Sequence, residues 1–391
     1  MTQRHRPFLI ANFTFHNVGQ GLFYSSNIDD FRFVYDCGST RRRHLSSIVS
    51  KFKKNYFAPA IMDLLVLSHL HDDHIAGLND LLKRPQISID LAVLPYLFPI
   101  ERLIVALTKI SLPKWFYKFW SDPVQFLIEN GVKQVMLLGG SEPTMPKDDL
   151  TPERRMENET ERLNLNEMFD DDKLRREIME KDGQWKKFLG QGRLLVKSHD
   201  GLMFSRVPHG AWVFRFFNCR VKDSNLSQFE RCIKPMAGRI SLTKIIRSRS
   251  KLRQLKKCYN LLHKDFNNTS IVVYHAPVLH TRRNFSHPNN YGGHLLVGDV
   301  DFNQKLTEIC THFGFMLPKL SFCLVPHHGA RRNWNKAVLT KVSGKCQWVI
   351  SSGIANRYGH PSFNVVKDIT QNGNPLYWSN EVNEISTMMF F

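Results

Sequence analysis

The sequence predicts an α/β fold, and three observations carry that prediction. Short apolar runs alternate with stretches of helical periodicity along all 391 residues. Gly, Asn and Asp turns separate them. The polar clusters at 69–74, 298–299 and 326–329 each follow an apolar run directly, which puts them at the C-terminal ends of strands.

Taken in order, 8–15 reads as a strand and Val18-Gly19-Gln20-Gly21 as a turn. Strands at 22–25 and 31–35 meet across Asn27-Ile28-Asp29-Asp30 and end at Asp36-Cys37-Gly38. The basic loop Arg41-Arg42-Arg43, either solvated or a phosphate contact, leads into a helix at 44–52. The strand 62–68 presents the His-rich run, and 75–82 is helical. Next come a strand at 87–94, helices at 100–110 and 115–130, and a strand at 132–138 stopped by Gly139-Gly140.

From 141 to 192 charged residues dominate and Pro143, Pro146 and Pro152 punctuate the start, so an inserted excursion with solvated helix faces is expected. Strands return at 194–198 and 212–217. The run 231–257 then carries ten Lys or Arg and no acid, and apolar residues recur at helical spacing over 241–263. An amphipathic helix is expected, with Lys244, Arg247, Arg249, Lys251, Arg253, Lys256 and Lys257 forming a polyanion track. Strands at 271–275, 294–297, 322–325 and 349–351, helices at 304–313 and 363–371, and a short terminal strand follow. The expected organisation is 1–140 and 266–391 as two halves of one fold, with 141–265 as an enlarged middle insertion.

Composition narrows the class. The apolar content of 42% suits a globular core, and Lys plus Arg exceed Asp plus Glu by 54 to 35, a net charge of +19. A protein this basic is expected to meet polyanions, with nucleic acid ahead of an anionic membrane. The seven cysteines, at 37, 219, 232, 258, 310, 323 and 346, form no C-x-x-C pair, and no secretory apolar region follows Met1. Reduced thiols and a cytoplasmic location are therefore expected. No window approaches the roughly 20 consecutive apolar residues of a membrane span.

The chemistry concentrates in His69-Leu70-His71-Asp72-Asp73-His74. His69 and His71 are two apart, so an extended segment turns them to one side, and Asp73 and His74 can close on the same place from the turn. Imidazole plus carboxylate suits zinc, iron or manganese, and the lack of a nearby thiolate argues against a closed structural zinc site. Asp299 after Gly298 could be an ordinary turn residue. Two imidazoles at His327-His328 after a buried strand gain nothing for packing, so the three clusters are read together as one site.

These elements resemble a metallo-β-lactamase-fold hydrolase, and most closely the hydrolase domain of ComEC-type competence proteins, which handle incoming DNA. The resemblance rests on Val18-Gly19-Gln20-Gly21, Asp36-Cys37-Gly38, H-x-H-x-D-H at 69–74, Asn268-Thr269-Ser270, Gly298-Asp299, Pro326-His327-His328-Gly329 and Asn356-Arg357-Tyr358-Gly359-His360-Pro361, in the family's order. It implies a four-layer αββα sandwich binding one or two ions of Zn2+ or Mn2+. His69 and His71 would hold the first ion and Asp73 and His74 the second, with Asp299 bridging. His327 would complete the second site, with His328 as the competing assignment. His360 would stand near the scissile phosphate as an acid or a phosphate ligand, beside Arg357. The family's further middle histidine has no counterpart by spacing, with His199 and His209 as weak candidates. The membrane channel that accompanies the family's domain has no counterpart in these residues, so a role in DNA uptake is not expected to carry over.

The expected function is metal-dependent phosphodiester hydrolysis, a nuclease in which the ions activate water and Asp73 or Asp299 orients it. Two rivals stand beside it. One is a small-molecule hydrolase acting on a cyclic nucleotide, thioester or lactone, and the other a catalytically silent nucleic-acid-binding or scaffold protein.

Overall fold

The apolar run of β4 (Ile61–Val66) is buried on both faces, and its alternate side chains feed two different cores. Leu64 and Val66 join the layer between two sheets, whereas Met62 and Leu65 lie under helices on the outer side. The computed structural model describes residues 9–56, 61–83, 87–108, 112–140, 162–208, 210–219, 227–229, 231–232, 257–258, 267, 269–278 and 292–391.

The other strands are β1 (Ile10–Phe15), β2 (Phe23–Ile28), β3 (Phe31–Cys37), β5 (Ser88–Pro95), β6 (Val132–Gly139), β7 (Leu163–Asn164), β8 (Leu194–Ser198), β9 (Leu202–Val207) and β10 (Gly210–Phe217) in the first part of the chain. β11 (Val272–Pro277), β12 (Gly293–Leu296), β13 (Leu320–Leu324), β14 (Gln347–Ser351), β15 (Leu376–Ser379) and β16 (Ile385–Phe390) follow. One eight-stranded sheet runs β16-β1-β2-β3-β4-β5-β6-β8, and the other β15-β14-β13-β12-β11-β10-β9-β7. The helices Arg42–Tyr56, Leu78–Leu82, Lys114–Ser121 and Pro123–Glu129 cover the outer side of the first sheet through Leu45, Leu81, Phe119 and Leu127. Phe302–Phe313 and Phe363–Gln371 pack with the second through Ile309, Phe313, Val365 and Ile369. This is the mixed α/β, two-sheet sandwich that the sequence leads one to expect.

One polar chain runs through the largely apolar layer between the sheets. Tyr24 Oη lies 3.0 Å from His275 Nε2 and 3.1 Å from His294 Nδ1, and Trp212 Nε1 donates to His275 Nδ1 at 3.2 Å. Burial pushes His275 well below its usual pKa and His294 down to about 3, so both are neutral at neutral pH.

Several local expectations change. The helix expected at 75–82 is two short ones, Asp72–Ile75 and Leu78–Leu82. That at 115–130 breaks at Asp122, whose side chain accepts from Gln125 N while Pro123 opens the second helix. The stretch 141–265, expected as an insertion, supplies β7 to β10 within its described residues, and these take places in both sheets. Reduced thiols throughout are not what the fold contains: Cys232 and Cys258 are disulfide-bonded, because the fold brings their Cα atoms to 5.7 Å despite a sequence separation of 26. Among the described residues, no helix is long and apolar enough to cross a membrane. Of the helix expected over 241–263, only residues 257–258 are described, and they are helical; the rest lies outside the described residues.

Candidate metal centre

Parallel pairing gathers the polar clusters at one edge. β4 is parallel to β3 and β5 and leads to His69; β12, β13 and β14 are mutually parallel and lead to Asp299, to His327 and His328, and to the 353–361 loop. At this edge Ile271 N donates to Ser68 O at 2.8 Å, tying the two sheets together. His71 is extended and precedes the helix Asp72–Ile75, so the chain turns and sends Asp73 and His74 back under His69. The turn fits only because its neighbours lack side chains. A Cβ at Gly38 would lie 2.3 Å from the Asp73 carbonyl, and one at Gly21 would lie 2.7 Å from the Asp73 oxygen. Gly21 and Gly38, one from each glycine motif near the start of the chain, thus admit the backbone at Asp73.

Asp299 is the hub. Its carboxylate lies 3.2 Å from His74 Nε2, 3.6 Å from His328 Nε2 and 3.7 Å from both His69 Nε2 and His327 Nδ1. His328 Nε2 also stands 3.4 Å from Asp73 Oδ2. Asp73, His74, Asp299 and His328 therefore form one four-residue group, and His69, His71 and Asp73 another that shares Asp73. His327 is outside both groups, because its Nδ1 is turned toward Asn267 Nδ2 at 3.2 Å.

Each inward nitrogen is aimed by a bond at the other. His74 Nδ1 donates to Asp36 Oδ2 at 2.7 Å, and Asp36 is held in turn by Ser68 N and Oγ. His328 Nδ1 donates to Ser351 O at 2.8 Å. His69 Nδ1 faces the hydroxyls of Ser68 at 3.1 Å and Ser270 at 3.4 Å. Such outer partners fix ring orientation and tautomer in metal sites.

The donor set fits a divalent cation. His69 Nε2, His74 Nε2, His328 Nε2 and Asp299 Oδ1 are buried with no hydrogen-bond partner, a costly arrangement for polar atoms that a shared cation would satisfy. Without an ion, the charges of the group pair with one another. Burial alone would raise the Asp299 carboxyl, but His327, His74 and His328 outweigh it and hold it well below the usual range. Burial opposes charge on His74, yet Asp299 and Asp36 keep its pKa well above the usual value. Burial, with the charge of His74, pushes His69 well below.

The remaining sequence candidates divide. His360 stands in the adjacent cleft, its ring 6.0 Å from that of His327, and burial with the charges of His328 and His327 pushes its pKa down to about 4. Arg41 pairs with Glu381 at 3.1 Å, and Glu381 also accepts from Ile354 N, which ties this arginine to the loop bearing His360. Arg42, Arg43, Lys257 and Arg357 are exposed. Lys244, Arg247, Arg249, Lys251, Arg253, Lys256, His209 and Asn268 lie outside the described residues. His199 is not at the centre but in a separate cluster with Asp200 and His312. Sequence reasoning did not single out Asp36, Ser68, Asn267 or Ser270 individually; only the motifs containing Asp36 and Ser270 pointed to them.

Residues 19–134 match the family model of the metallo-beta-lactamase superfamily, a span that includes the 69–74 run and ends before Asp299. With the His/Asp groups at the sheet edge, this match over part of the chain supports a metal-dependent hydrolase. No curated protein matches the chain. Among solved structures, a long form RNase Z from yeast is similar at 11% identity and a TM-score of 0.28, over 89% of this chain and 42% of that one. The chain thus spans less than half the length of that protein.

Proposed function

We propose that the protein is a metal-dependent phosphodiester hydrolase acting on nucleic acid, a nuclease using Zn2+ or Mn2+. The observation that carries this reading is the convergence of three unpartnered imidazole nitrogens and a carboxylate oxygen at one sheet edge. Nucleic acid is favoured by the net charge of +19 and by exposed arginines near the centre. Asp73, His74, Asp299 and His328 would hold one ion, and His69 and His71, with the shared carboxylates, the other. Bound ions would lower the pKa of a water and neutralise charge on the attacked phosphate.

The protein groups do the positioning. Asp73 has the more open carboxylate, its side chain 21% exposed against 5% for that of Asp299, and would be the group to accept a proton from the attacking water. Asp299 stays buried and orients the ligand set. His360, with its pKa near 4, is neutral at pH 7; it therefore suits a hydrogen-bonding partner of a phosphate oxygen better than a proton donor.

A matrix of Zn2+ and Mn2+ against labelled single- and double-stranded DNA and RNA tests the reading. Metal-dependent cleavage is expected, lost in Asp73→Ala and in His71→Ala while nucleic-acid binding persists. Cleavage retained in both variants would sink the assignment, and a flat salt response of substrate affinity would favour a small substrate instead.

A further inference from the structure

The arginines that follow the His-His-Gly turn take no part in that chemistry. A cleft of about 840 Å³ opens beside His327 and His360, walled by the 330–333 segment on one side and the 358–362 loop on the other. Arg331 and Arg332 line it, exposed and paired with no carboxylate among the described residues. Opposite them Tyr358 is 51% exposed. Its ring lies parallel to His360 within 16° at 5.9 Å, and the Arg357 guanidinium sits 5.1 Å from the ring centre.

The loop carrying Tyr358 is built rather than loose. Asn356 Nδ2 donates to the carbonyls of Gly353 and His360, and its Oδ1 accepts from the backbone N–H groups of Tyr358 and His360. One side chain thus fixes the aromatic wall of the cleft relative to the centre.

The cleft reaches the candidate ligands through His327, whose Nδ1 is 3.7 Å from Asp299, and those ligands are deeply set: His69, His74 and Asp299 are only 2%, 0% and 3% exposed as whole residues. A base-paired duplex is a stiff rod that cannot lower one phosphate to buried carboxylates. An unpaired strand can splay a base aside and bend its backbone inward. The cleft volume falls within the roughly 300–1,000 Å³ of small-ligand sites, room for a splayed nucleotide.

We propose that the cleft binds an unpaired polynucleotide strand, with Arg331 and Arg332 on successive phosphates and Tyr358 against a splayed base. The proposal rests on the reading of the centre as a phosphodiester hydrolase and names the form of its substrate. Guanidinium pairs and exposed aromatic rings are the groups that hold single strands without reading sequence.

Fluorescence anisotropy of the metal-loaded full chain tests it, using cleavage-resistant phosphorothioate oligonucleotides of one sequence as single-stranded DNA, single-stranded RNA and blunt duplex. At least one single strand is expected to bind about tenfold more tightly than the duplex, and the DNA and RNA arms then identify the polymer. Arg331→Ala combined with Arg332→Ala should flatten the single-strand salt slope by about 1.4, at roughly 0.7 per phosphate contact. Tyr358→Ala should weaken single-strand binding at least about fivefold, with Tyr358→Phe close to wild type. All three side chains are exposed, so these variants should fold. Equal binding of duplex and single strand, or an unchanged salt slope in the double variant, would overturn the assignment. Strand-selective binding without cleavage under any metal would remove the hydrolase reading and leave the cleft assignment standing. Equal binding and cleavage of duplex and single strand would do the reverse.

Discussion

His328 owes its reach to a backbone that few residues adopt. His327 and His328 have φ of 47° and 58°, the left-handed region, where a non-glycine residue costs on the order of 1–3 kcal/mol. The strain rotates successive imidazoles to different sides, sending His328 Nε2 toward Asp73 and Asp299 and His327 toward Asn267. His328→Ala should therefore lower the metal bound per chain, whereas His327→Ala should leave it near wild type; elemental analysis of the purified proteins reads the difference. From sequence alone the choice between these neighbours stayed open, because it depends on backbone handedness. The 69–74 run was legible since its ligands are contiguous. Asp36 and Ser270 acquire their meaning only through contacts with His74 and His69, far away in the chain.

At the scale of elements, the centre depends on how closely two loops approach. Gly38 lies against the backbone of Asp73 and His74, and a methyl group there would collide with main chain that has nowhere to move. Gly38→Ala should cost about 2 kcal/mol or more, the upper part of the range for overpacking, and should lower both Tm and metal content. Thermal melts with and without added metal would check it, and an unchanged Tm would remove the close-approach argument. The same scale shows where the sequence misled. In β9 the polar Ser205 and Arg206 interrupt the apolar run, so no strand was expected, yet Ser205 is fully buried against neighbouring strands. β4 was readable because burial on both faces leaves the apolar run Leu64-Leu65-Val66-Leu67 just before the 69–74 cluster, despite the buried Asp63.

For the whole molecule, the buried histidines between the sheets set the response to acid. His275 and His294 are held neutral in the fold but can protonate once unfolded, so their folded pKa values lie below the unfolded value of about 6.5. The stability linked to them is complete above that value. It is lost progressively as pH falls toward the folded value, about 3 for His294. Urea midpoints measured from pH 7 to pH 4 should fall steeply in the wild type and less steeply in His294→Leu; parallel curves would show that other groups govern acid unfolding.

The first sheet is finished only when β16 pairs with β1, with Phe390 opposite Ile10, and the metal ligands come from both 69–74 and 299–328. Closing such distant segments must precede most of the contacts that repay it, which slows folding. While the polypeptide is being synthesised, its early portion carries an incomplete ligand set and an open β1 edge. A partly synthesised chain therefore lacks one half of the His/Asp groups gathered at the sheet edge.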